Sequence, residues 1–384
     1  MLSYEIKLAL YKEGEVSFYA TDLEELSKRG ISYTKAEVFY NPDMKVNRDI
    51  SVAVNRILRK DGKSASIDLM AATGVRSIRW AVESDVDRVW ANDKNPVAAH
   101  IIRKNVALNN VEDRVKVTCK DAGMLTSELM EIGIKFWYVD LDPFGSPAPY
   151  TRDSLRIVRR GGILAVTATD TAPLFGVYPL KLFRYYRVSG TRTHFHKEFG
   201  IRALIYFILM EATLKDLLAI PLLAYSHLHY VRAYFLIERG ALEFRKVIEE
   251  NLGWVNYCEC GNWSTTRAVE PPGRITCELC GSRMRLMGPV WIGSYKNKEF
   301  ISRIMECVPS EESRKILKSL ADEIDIPFYH DLDLISRKLR ISSPGVNKVV
   351  EKLRERGFSA SRSHAEPKAI KTDANLAEMI RILS

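Results

Sequence analysis

The sequence lacks the features of a membrane protein or of a secreted disulfide-rich protein. No uninterrupted apolar run reaches the ~18 residues that a transmembrane helix needs, and the first 20 residues mix Glu and Lys instead of forming a secretory signal. Only six cysteines occur among 384 residues, too few for a disulfide scaffold. Neither an internal repeat nor a low-complexity tract is present. We therefore expect a cytoplasmic protein.

The composition is that of a folded globular protein with an excess of basic residues. Hydrophobic residues make up 46% and charged residues 27% of the chain, which excludes global disorder. Lys and Arg number 57 against 48 Asp and Glu, giving a net charge of +9. This balance favours a polyanionic partner such as a nucleic acid. The length corresponds to two or three domains.

Short strand-like runs alternate with helical stretches in the first two thirds of the chain. Five runs are rich in β-branched or aromatic residues: Ser66–Ala71, Arg88–Asp93, Val115–Lys120, Phe136–Asp142 and Gly162–Thr169. Such alternation predicts βαβ crossovers, and hence an α/β fold with a parallel sheet covered by helices on both faces. We expect an N-terminal arm over residues 1–50, the α/β domain over 51–240 and a C-terminal domain over 241–384. The last domain contains a Cys-rich segment at 254–288 and a winged-helix-like pattern at 315–384.

Three of the predicted strands end in an acidic residue at the same edge of the sheet. Asp68 is followed by a turn at Gly74 and a helix that begins near Arg76, Asp93 follows the second strand, and Asp121 follows the third. An acid after the second strand suits a ribose diol. The single glycine differs from the G-x-G-x-x-G of dinucleotide sites, which favours a cofactor without a pyrophosphate, such as S-adenosylmethionine. The alternative is an ordinary strand–helix turn.

The fourth strand ends in the segment DLDPFGSP, residues 140–147. Asp140 and Asp142 point the same way from the strand, Pro143 stiffens the turn and Phe144 adds an aromatic ring. A carboxylate that accepts an N–H bond can orient an exocyclic amino nitrogen toward a methyl donor while a ring stacks on the base. The alternative is a Mg²⁺ site formed by the two carboxylates.

Four of the six cysteines form two close pairs. Cys258 and Cys260 make the first pair, Cys277 and Cys280 the second, and a glycine follows each pair. Two pairs of thiolates favour a structural zinc site with tetrahedral geometry. Unrelated buried thiols or a labile disulfide are the alternatives.

Basic and aromatic residues are interleaved after the fifth strand. The basic ones are Lys181, Arg184, Arg187, Arg192, Lys197 and Arg202, and Glu198 is the single acid among them. This mixture favours contact with RNA phosphates and bases. The C-terminal winged-helix pattern is typical of DNA binding, although an accessory docking or packing role agrees better with the preceding half of the chain.

The sequence resembles the tRNA (guanine-N2)-dimethyltransferase family, which modifies guanosine 26 of tRNA. The motifs that carry the resemblance follow one another along nearly the whole chain: Val38–Asp49, Asp68–Trp80, Asn92–Pro96, Asp140–Pro147, Gly161–Leu174 and Gly288–Gly293. The first cysteine pair departs from the pattern, because this sequence has C-x-C where the family often has C-x-x-C. The resemblance implies a Rossmann-like class I methyltransferase domain.

The resemblance also implies roles for individual residues. Arg48 and Arg76 would help to hold S-adenosylmethionine, with Asp93 on the ribose and Asp121 and Ala122 at the adenine. Asp142 and Pro143 would hold the guanine amino group. Phe144 would stack on a flipped base and Phe39 would cover its other face, while Asp140 would orient the turn.

The expected function is therefore two successive methyl transfers from S-adenosylmethionine to N2 of guanosine 26 in tRNA, by a monomer that needs no obligate protein partner. Two alternatives stay open at this point. One is a non-catalytic nucleic-acid-binding regulator that uses the winged helix. The other is an amino-methyltransferase that acts on another guanosine or on adenine in DNA.

Overall fold

The computed structural model describes residues 7–32, 35–240, 243–270, 273 and 275–383. The chain divides into two compact units. The first takes in the chain up to Pro143 together with Pro149–Val166 and Ser302–Arg314, and the second takes in Phe144–Ala148, Thr167–Ile301 and the chain from Lys315 onward. None of the helices within these described ranges is both long and apolar enough to cross a membrane.

The elements of the N-terminal half alternate as the sequence predicts. In chain order they are β1 (Leu8–Glu13), β2 (Val16–Thr21), α1 (Leu23–Lys28), a 3-10 turn (Pro42–Met44), α2 (Lys45–Lys60), β3 (Ser66–Asp68), α3 (Val75–Glu83), β4 (Val89–Asn92), α4 (Pro96–Leu108), β5 (Val115–Thr118), α5 (Ala122–Glu131), β6 (Phe136–Leu141), α6 (Ala148–Arg156) and β7 (Val158–Ala168). The five predicted strands are all present, and β3 to β6 end one to three residues earlier than predicted because the chain turns at the polar residues.

The remaining elements are α7 (Thr171–Leu174), α8 (Pro179–Tyr186), α9 (His196–Thr213), β8 (Leu217–His227), β9 (Tyr230–Arg239), α10 (Phe244–Asn251), β10 (Leu252–Tyr257), β11 (Trp263–Arg267), β12 (Arg285–Trp291), α11 (Lys298–Cys307), α12 (Glu311–Asp322), β13 (His330–Asp331), α13 (Leu332–Leu339), α14 (Val346–Glu355), β14 (Ala360–Arg362), β15 (Ala369–Thr372) and α15 (Leu376–Leu383). The last helix, α15, was not predicted from the sequence.

The first unit is built on a parallel sheet with the strand order β5-β4-β3-β6-β7. The chain runs outward from β3 to β5, returns to β6 beside β3 and then runs outward again to β7. Right-handed crossovers in opposite directions place α3 and α4 on one face and α5 and α6 on the other. This confirms the predicted α/β class. The reversal between β3 and β6 opens a crevice at the carboxyl edge, where such folds bind their ligands.

The first 50 residues contain a β-hairpin, β1–β2, which packs on α3 and α4. Asn105 on α4 and Asn109 just after its last residue bind the backbone of β2: each accepts from an N–H and donates to a carbonyl of Tyr19 or Ser17, at 2.7–3.2 Å. Side-chain amides replace the backbone partners that the outer edge of β2 would otherwise lack. The hairpin is thus tied to the helix that follows Asp93.

The second unit combines three small groups of strands. Strands β8 and β9 form a long antiparallel pair against which α9 packs. Strands β11, β10 and β12 form an antiparallel sheet in that order, and β13, β15 and β14 form another. Helices α13, α14 and α15 bury a common apolar core with the last sheet, formed by residues such as Leu332, Val349, Leu353, Ile370 and Met379. The helix–helix–strand order agrees with the winged-helix pattern.

Candidate active site

Two buried carboxylates stand side by side at the reversal point of the parallel sheet. Asp68 ends β3 and Asp140 lies opposite it in the register of β6. The exposed fractions of Asp68 and Asp140 are 1% and 0%. Tyr138 donates a hydrogen bond to Asp140 at 2.8 Å, and Ser77 donates one to Asp68 at 3.3 Å. The sheet topology therefore gathers acidic groups where a ligand of this fold binds.

Arg76, in the first turn of α3, joins these carboxylates to the turn after β6. Its guanidinium hydrogen-bonds to Asp142 and, at 3.4 Å, to Asp140. Its Nε lies 3.9 Å from Asp68. It also donates to the side chain of Asn47 on α2 at 2.8 Å. One buried arginine thus fixes the position of Asp142, whose side chain keeps 16% of its surface exposed.

The surroundings of Asp68 shift its pKa toward neutral pH. Burial raises the pKa of Asp68 to about 7; the Arg76 guanidinium opposes this shift, and the like charges of Asp140 and Asp142 add to it. A carboxyl group with such a pKa changes its protonation state when a cation arrives or leaves nearby. Strongly shifted values of this kind are typical of functional sites.

The turn between β3 and α3 is shaped by left-handed backbone at two positions. Gly74 has φ +76°, and a Cβ placed there would lie 2.9 Å from the Ile102 side chain. Ala72 has φ +51°, and its N–H donates to the Asp93 carboxylate at 2.9 Å. The other oxygen of Asp93 accepts from the N–H of Asn95 at 2.9 Å. Each carboxylate oxygen can accept a second hydrogen bond, so the half-buried Asp93 is positioned and still able to bind hydroxyl groups.

Asp121 caps the N-terminus of α5. Its Oδ1 accepts from the N–H groups of Gly123 and Met124 at 2.9 and 3.4 Å, while the residue itself is exposed and Ala122 beside it is buried. The three strand ends are linked by Asn92, a fully buried residue that the sequence analysis missed. Its amide donates to the carbonyls of Leu69 and Lys120 at 3.0 and 2.9 Å. Asn92 begins the motif Asn92–Pro96, which carries the family resemblance, and this position could have indicated that the residue matters.

Arg48 and Phe39 precede the sheet. Arg48 is buried and pairs with Glu13 at 2.5–2.7 Å, and it also donates to the carbonyl of Asn41 at 3.0 Å. Its neighbour Asn47, rather than Arg48, is the α2 residue that hydrogen-bonds to Arg76. Phe39 is half-buried. The roles of these two residues toward cofactor and base stay predictions.

The segment after Asp142 leaves an aromatic ring in solvent. Pro143 is buried, whereas the exposed fraction of Phe144 is 69%. Gly145 has φ +84°, and a Cβ added there would meet no heavy atom within 4 Å. Positive φ at Gly145 turns the chain immediately after the ring. The arrangement offers a carboxylate, a backbone carbonyl and an exposed ring on three consecutive residues.

Comparison with known proteins identifies the family of the chain. The family model described as N2,N2-dimethylguanosine tRNA methyltransferase matches residues 15–384. The chain belongs to this family. A tRNA (guanine(26)-N(2))-dimethyltransferase of Methanosphaera stadtmanae is 34% identical over 97% of this chain and 96% of its own. A tRNA (guanine(26)-N(2)/guanine(27)-N(2))-dimethyltransferase of Aquifex aeolicus is 34% identical over 90% of this chain and 89% of its own.

A solved structure of the family is similar over nearly the whole chain. It is the complex of Trm1 from Pyrococcus horikoshii with S-adenosyl-L-methionine, which is 30% identical and superposes with a TM-score of 0.85. The superposition covers 98% of this chain and 99% of the other. The resemblance inferred from the motifs is thereby confirmed.

In this member of the N2,N2-dimethylguanosine tRNA methyltransferase family the four paired cysteines converge. Their Sγ atoms all lie within 4.8 Å of one another, with Cys258 and Cys280 3.4 Å apart and Cys260 and Cys277 3.6 Å apart. Tetrahedral zinc with Zn–S bonds of about 2.3 Å separates its sulfurs by roughly 3.8 Å. The glycines after the two pairs have φ +86° and +71°, which forms the two turns. The C-x-C spacing therefore still allows the four thiols to bind a structural zinc ion.

The segment from Lys181 to Arg202, in which basic and aromatic residues are interleaved, has both exposed and buried basic residues. Lys181, Arg184 and Arg192 are exposed. Arg202 is only 2% exposed; it pairs with Glu198 at 2.8 Å and donates to the carbonyls of Trp291 and Gly293 at 3.0 and 2.9 Å. The expectation that Arg202 contacts RNA is therefore wrong. The i,i+4 spacing of Glu198 and Arg202 within an apolar helix was the overlooked signal of a buried ion pair.

Proposed function

We propose that this protein transfers two methyl groups in succession from S-adenosylmethionine to N2 of guanosine 26 in tRNA. The observation that carries the proposal is the Asp142–Phe144 turn, whose carboxylate is fixed by Arg76 at the reversal point of the sheet. Membership of the family and the likeness to the S-adenosylmethionine complex of Trm1 support it. We further propose that it acts as a cytoplasmic monomer.

The strand ends fit the cofactor. Asp93 binds the ribose hydroxyls with the lone pairs that Ala72 and Asn95 leave open. Asp121 and Ala122 take the adenine. Gly74 keeps the turn clear of any side chain, while Asp68 and Arg76 line the crevice. When bound, S-adenosylmethionine supplies an electrophilic methyl group on a positively charged sulfur.

The turn after β6 fits an amino group attached to an aromatic ring. The exocyclic nitrogen of guanine is a weak nucleophile because its lone pair is delocalised into the base. Asp142 accepts one N–H of this group and the carbonyl of Pro143 accepts the other, which orients the nitrogen for in-line attack. Phe144 stacks on the flipped base, and Phe39 covers its second face. The reaction needs no covalent intermediate with the protein.

A surface on α8, which we call the α8 face, fits the rest of the tRNA. It consists of Leu180, Lys181, Phe183 and Arg184 together with Tyr178, the residue before the helix, and all five are exposed. The exposed fractions of Leu180 and Phe183 are 86% and 61%. No acidic residue occurs between Thr171 and Lys197. Exposed rings and cations without carboxylates suit an RNA, whose phosphates and unstacked bases they bind.

Incubation with S-adenosylmethionine and an unmodified tRNA transcript, followed by nucleoside digestion and mass spectrometry, tests the proposal. We expect N2,N2-dimethylguanosine, lost when guanosine 26 is replaced. A second transcript with guanosine 27 replaced reports whether the neighbouring base is also modified, as the name of the Aquifex relative implies for that protein. The absence of any methylated nucleoside from a folded, zinc-loaded protein would overturn the proposal.

A further inference from the structure

We propose that Tyr186 and Asp170 are positioning residues that hold the Phe144–Ser146 turn in its reactive geometry, and that they matter more for the second methyl transfer than for the first. The inference rests on the function proposed above. Neither residue touches the acceptor base in that mechanism; they act through Ser146.

A chain of three side-chain groups supports the turn within the second unit. The Ser146 hydroxyl donates to the Tyr186 hydroxyl at 3.0 Å, and Tyr186 donates to Asp170 at 2.6 Å. Ser146 also accepts the N–H of Ala148 at 3.3 Å. A carboxylate at the end of the chain accepts but does not donate, so it sets the direction of both hydroxyl bonds. The turn is thus anchored on a charged acceptor.

The backbone of Gly145 is held independently by Thr169, next to Asp170. The N–H of Gly145 donates to the Thr169 hydroxyl at 2.7 Å, and the N–H of Thr169 donates to the Gly145 carbonyl at 3.0 Å. The two anchors grip consecutive residues, Gly145 and Ser146. Because Phe144 immediately precedes them, they fix the backbone from which its exposed ring projects.

The two anchoring residues, Tyr186 and Asp170, are buried and half-buried respectively. Tyr186 ends α8, is completely buried and packs edge-on against Phe207 at 5.7 Å. Asp170 sits at the N-cap of α7 but makes no capping bond from its side chain; Oδ1 accepts from Tyr186 instead. Burial raises the pKa of Asp170 to about 6, against the hydrogen bond from Tyr186. Burying Asp170 disfavours its ionised form, and a pKa shifted in this way is typical of residues with a functional role.

The second methyl transfer depends more strongly on the position of the turn than the first, because fewer hydrogen bonds hold the acceptor nitrogen. An unmethylated amino group offers two N–H donors, one to Asp142 and one to the Pro143 carbonyl. After the first transfer one donor is left, so the nitrogen is held by one bond and by the stacking of Phe144. A turn that loosens by a fraction of an ångström then slows the second step more than the first.

The test compares Tyr186→Phe with Tyr206→Phe, which removes a hydroxyl outside this chain from a half-buried tyrosine on α9. We expect Tyr186→Phe to lower the single-turnover rate about 10–100-fold, to leave the Kd of S-adenosylmethionine unchanged and to accumulate N2-methylguanosine. Tyr206→Phe should match the wild type. Asp170→Asn, which keeps an acceptor oxygen, should retain more activity than Asp170→Ala.

Each outcome separates this inference from the proposed function. If the wild-type protein methylates no guanosine, the function itself fails. If Tyr186→Phe gives the wild-type rate and the wild-type ratio of mono- to dimethylguanosine, the positioning role is wrong. Should Tyr186→Phe prove unstable, Ser146→Ala takes its place, because it breaks the same chain at a half-buried residue. A uniform slowing of both transfers would also contradict the inference.

Discussion

Arg76 and Arg79 lie three residues apart on α3 and both are buried. The pKa values of the acids around them are nevertheless shifted in opposite directions. Arg79 pairs with Glu83, Asp49 and Glu13 at 2.6–2.8 Å, and Arg48 adds a second guanidinium to Glu13. Burial alone would raise the pKa of Glu13, but Arg48 and Arg79 outweigh it and lower that pKa to about 2. The pKa of Asp49 shifts downward in the same way.

Around Arg76 the shift has the other sign, because burial raises the pKa of Asp68 to about 7. Buried charge by itself therefore says little about function. In the Arg79 cluster the pKa values of Glu13 and Asp49 are both lowered, so these two acids are stabilised in their ionised forms by arginines of the protein itself. In the Arg76 cluster one acid is held near its titration point, and a cationic ligand would complete it.

The largest expected effect is on catalysis. Asp142→Ala should lower the rate of methyl transfer about 10³-fold, because it removes the acceptor that orients the amino group, while the free energy of unfolding stays within about 1 kcal/mol of the wild type. Single-turnover assays and thermal melts measure the two. Asp87→Ala, which removes an exposed acid, is the control and should change neither. An unaltered rate in Asp142→Ala would contradict the assigned role.

The cysteine cluster should behave like the Arg79 cluster, as structure rather than chemistry. Cys277→Ser removes one of four thiols from a site that leaves no open coordination position. We expect lower zinc content and a loss of more than about 4 kcal/mol of stability, with activity falling only as folded protein is lost. Cys119→Ser changes an exposed thiol outside the cluster and should be neutral. Full zinc content in Cys277→Ser would show that the fourth ligand lies elsewhere.

Much of the candidate active site could be predicted from the sequence because its acids follow strands. Asp68, Asp93, Asp121 and Asp142 each stand at a strand end, and parallel topology brings strand ends together. The partners of these acids come from distant parts of the chain: Arg76 binds Asp142 across 66 positions, and Arg76 is bound in turn by Asn47 across 29. No local pattern encodes such contacts.

Residues with two plausible environments were the least predictable. Tyr186 and Arg184 are two positions apart in a segment that reads as basic and aromatic throughout, yet Tyr186 is buried and Arg184 is exposed. The packing of α8 decides which side chains face outward. The sequence showed the composition of the segment but not its buried face.

Replacing each of the two arginines with methionine compares their roles directly. Arg79→Met leaves the carboxylates of Glu13, Asp49 and Glu83 buried with one cation fewer, which should cost roughly 3–5 kcal/mol. The rate per folded molecule should stay near that of the wild type. Arg76→Met, the matched change one turn earlier, should lower that rate strongly because Asp142 loses its anchor. Equal losses of rate per folded molecule in the two variants would show that the Arg76 and Arg79 clusters do not differ in their importance for catalysis.

The smallest expected effect concerns the pH dependence of stability. The folded-state pKa of Asp68, about 7, lies above its ordinary value of 3.8, so the folded protein binds the proton more tightly than the unfolded chain. This contribution to stability is fully present below pH ~4 and is lost as the pH rises through 7. Between pH 6 and pH 8 a single group with this pKa removes about 1.4 kcal/mol.

Asp68→Asn cannot lose that proton, so its free energy of unfolding should fall by about 1.4 kcal/mol less than the wild-type value over the same interval. Denaturant titrations at pH 6, 7 and 8 measure the difference, and titrating groups remote from the Arg76 cluster contribute equally to both proteins. Glu13→Gln is the matched control. The folded and ordinary pKa values of Glu13, about 2 and 4.5, both lie below this interval, so its slope should equal that of the wild type although the variant is less stable. If Asp68→Asn keeps the wild-type slope, Asp68 is ionised throughout and the two arginine clusters do not differ in the way proposed here.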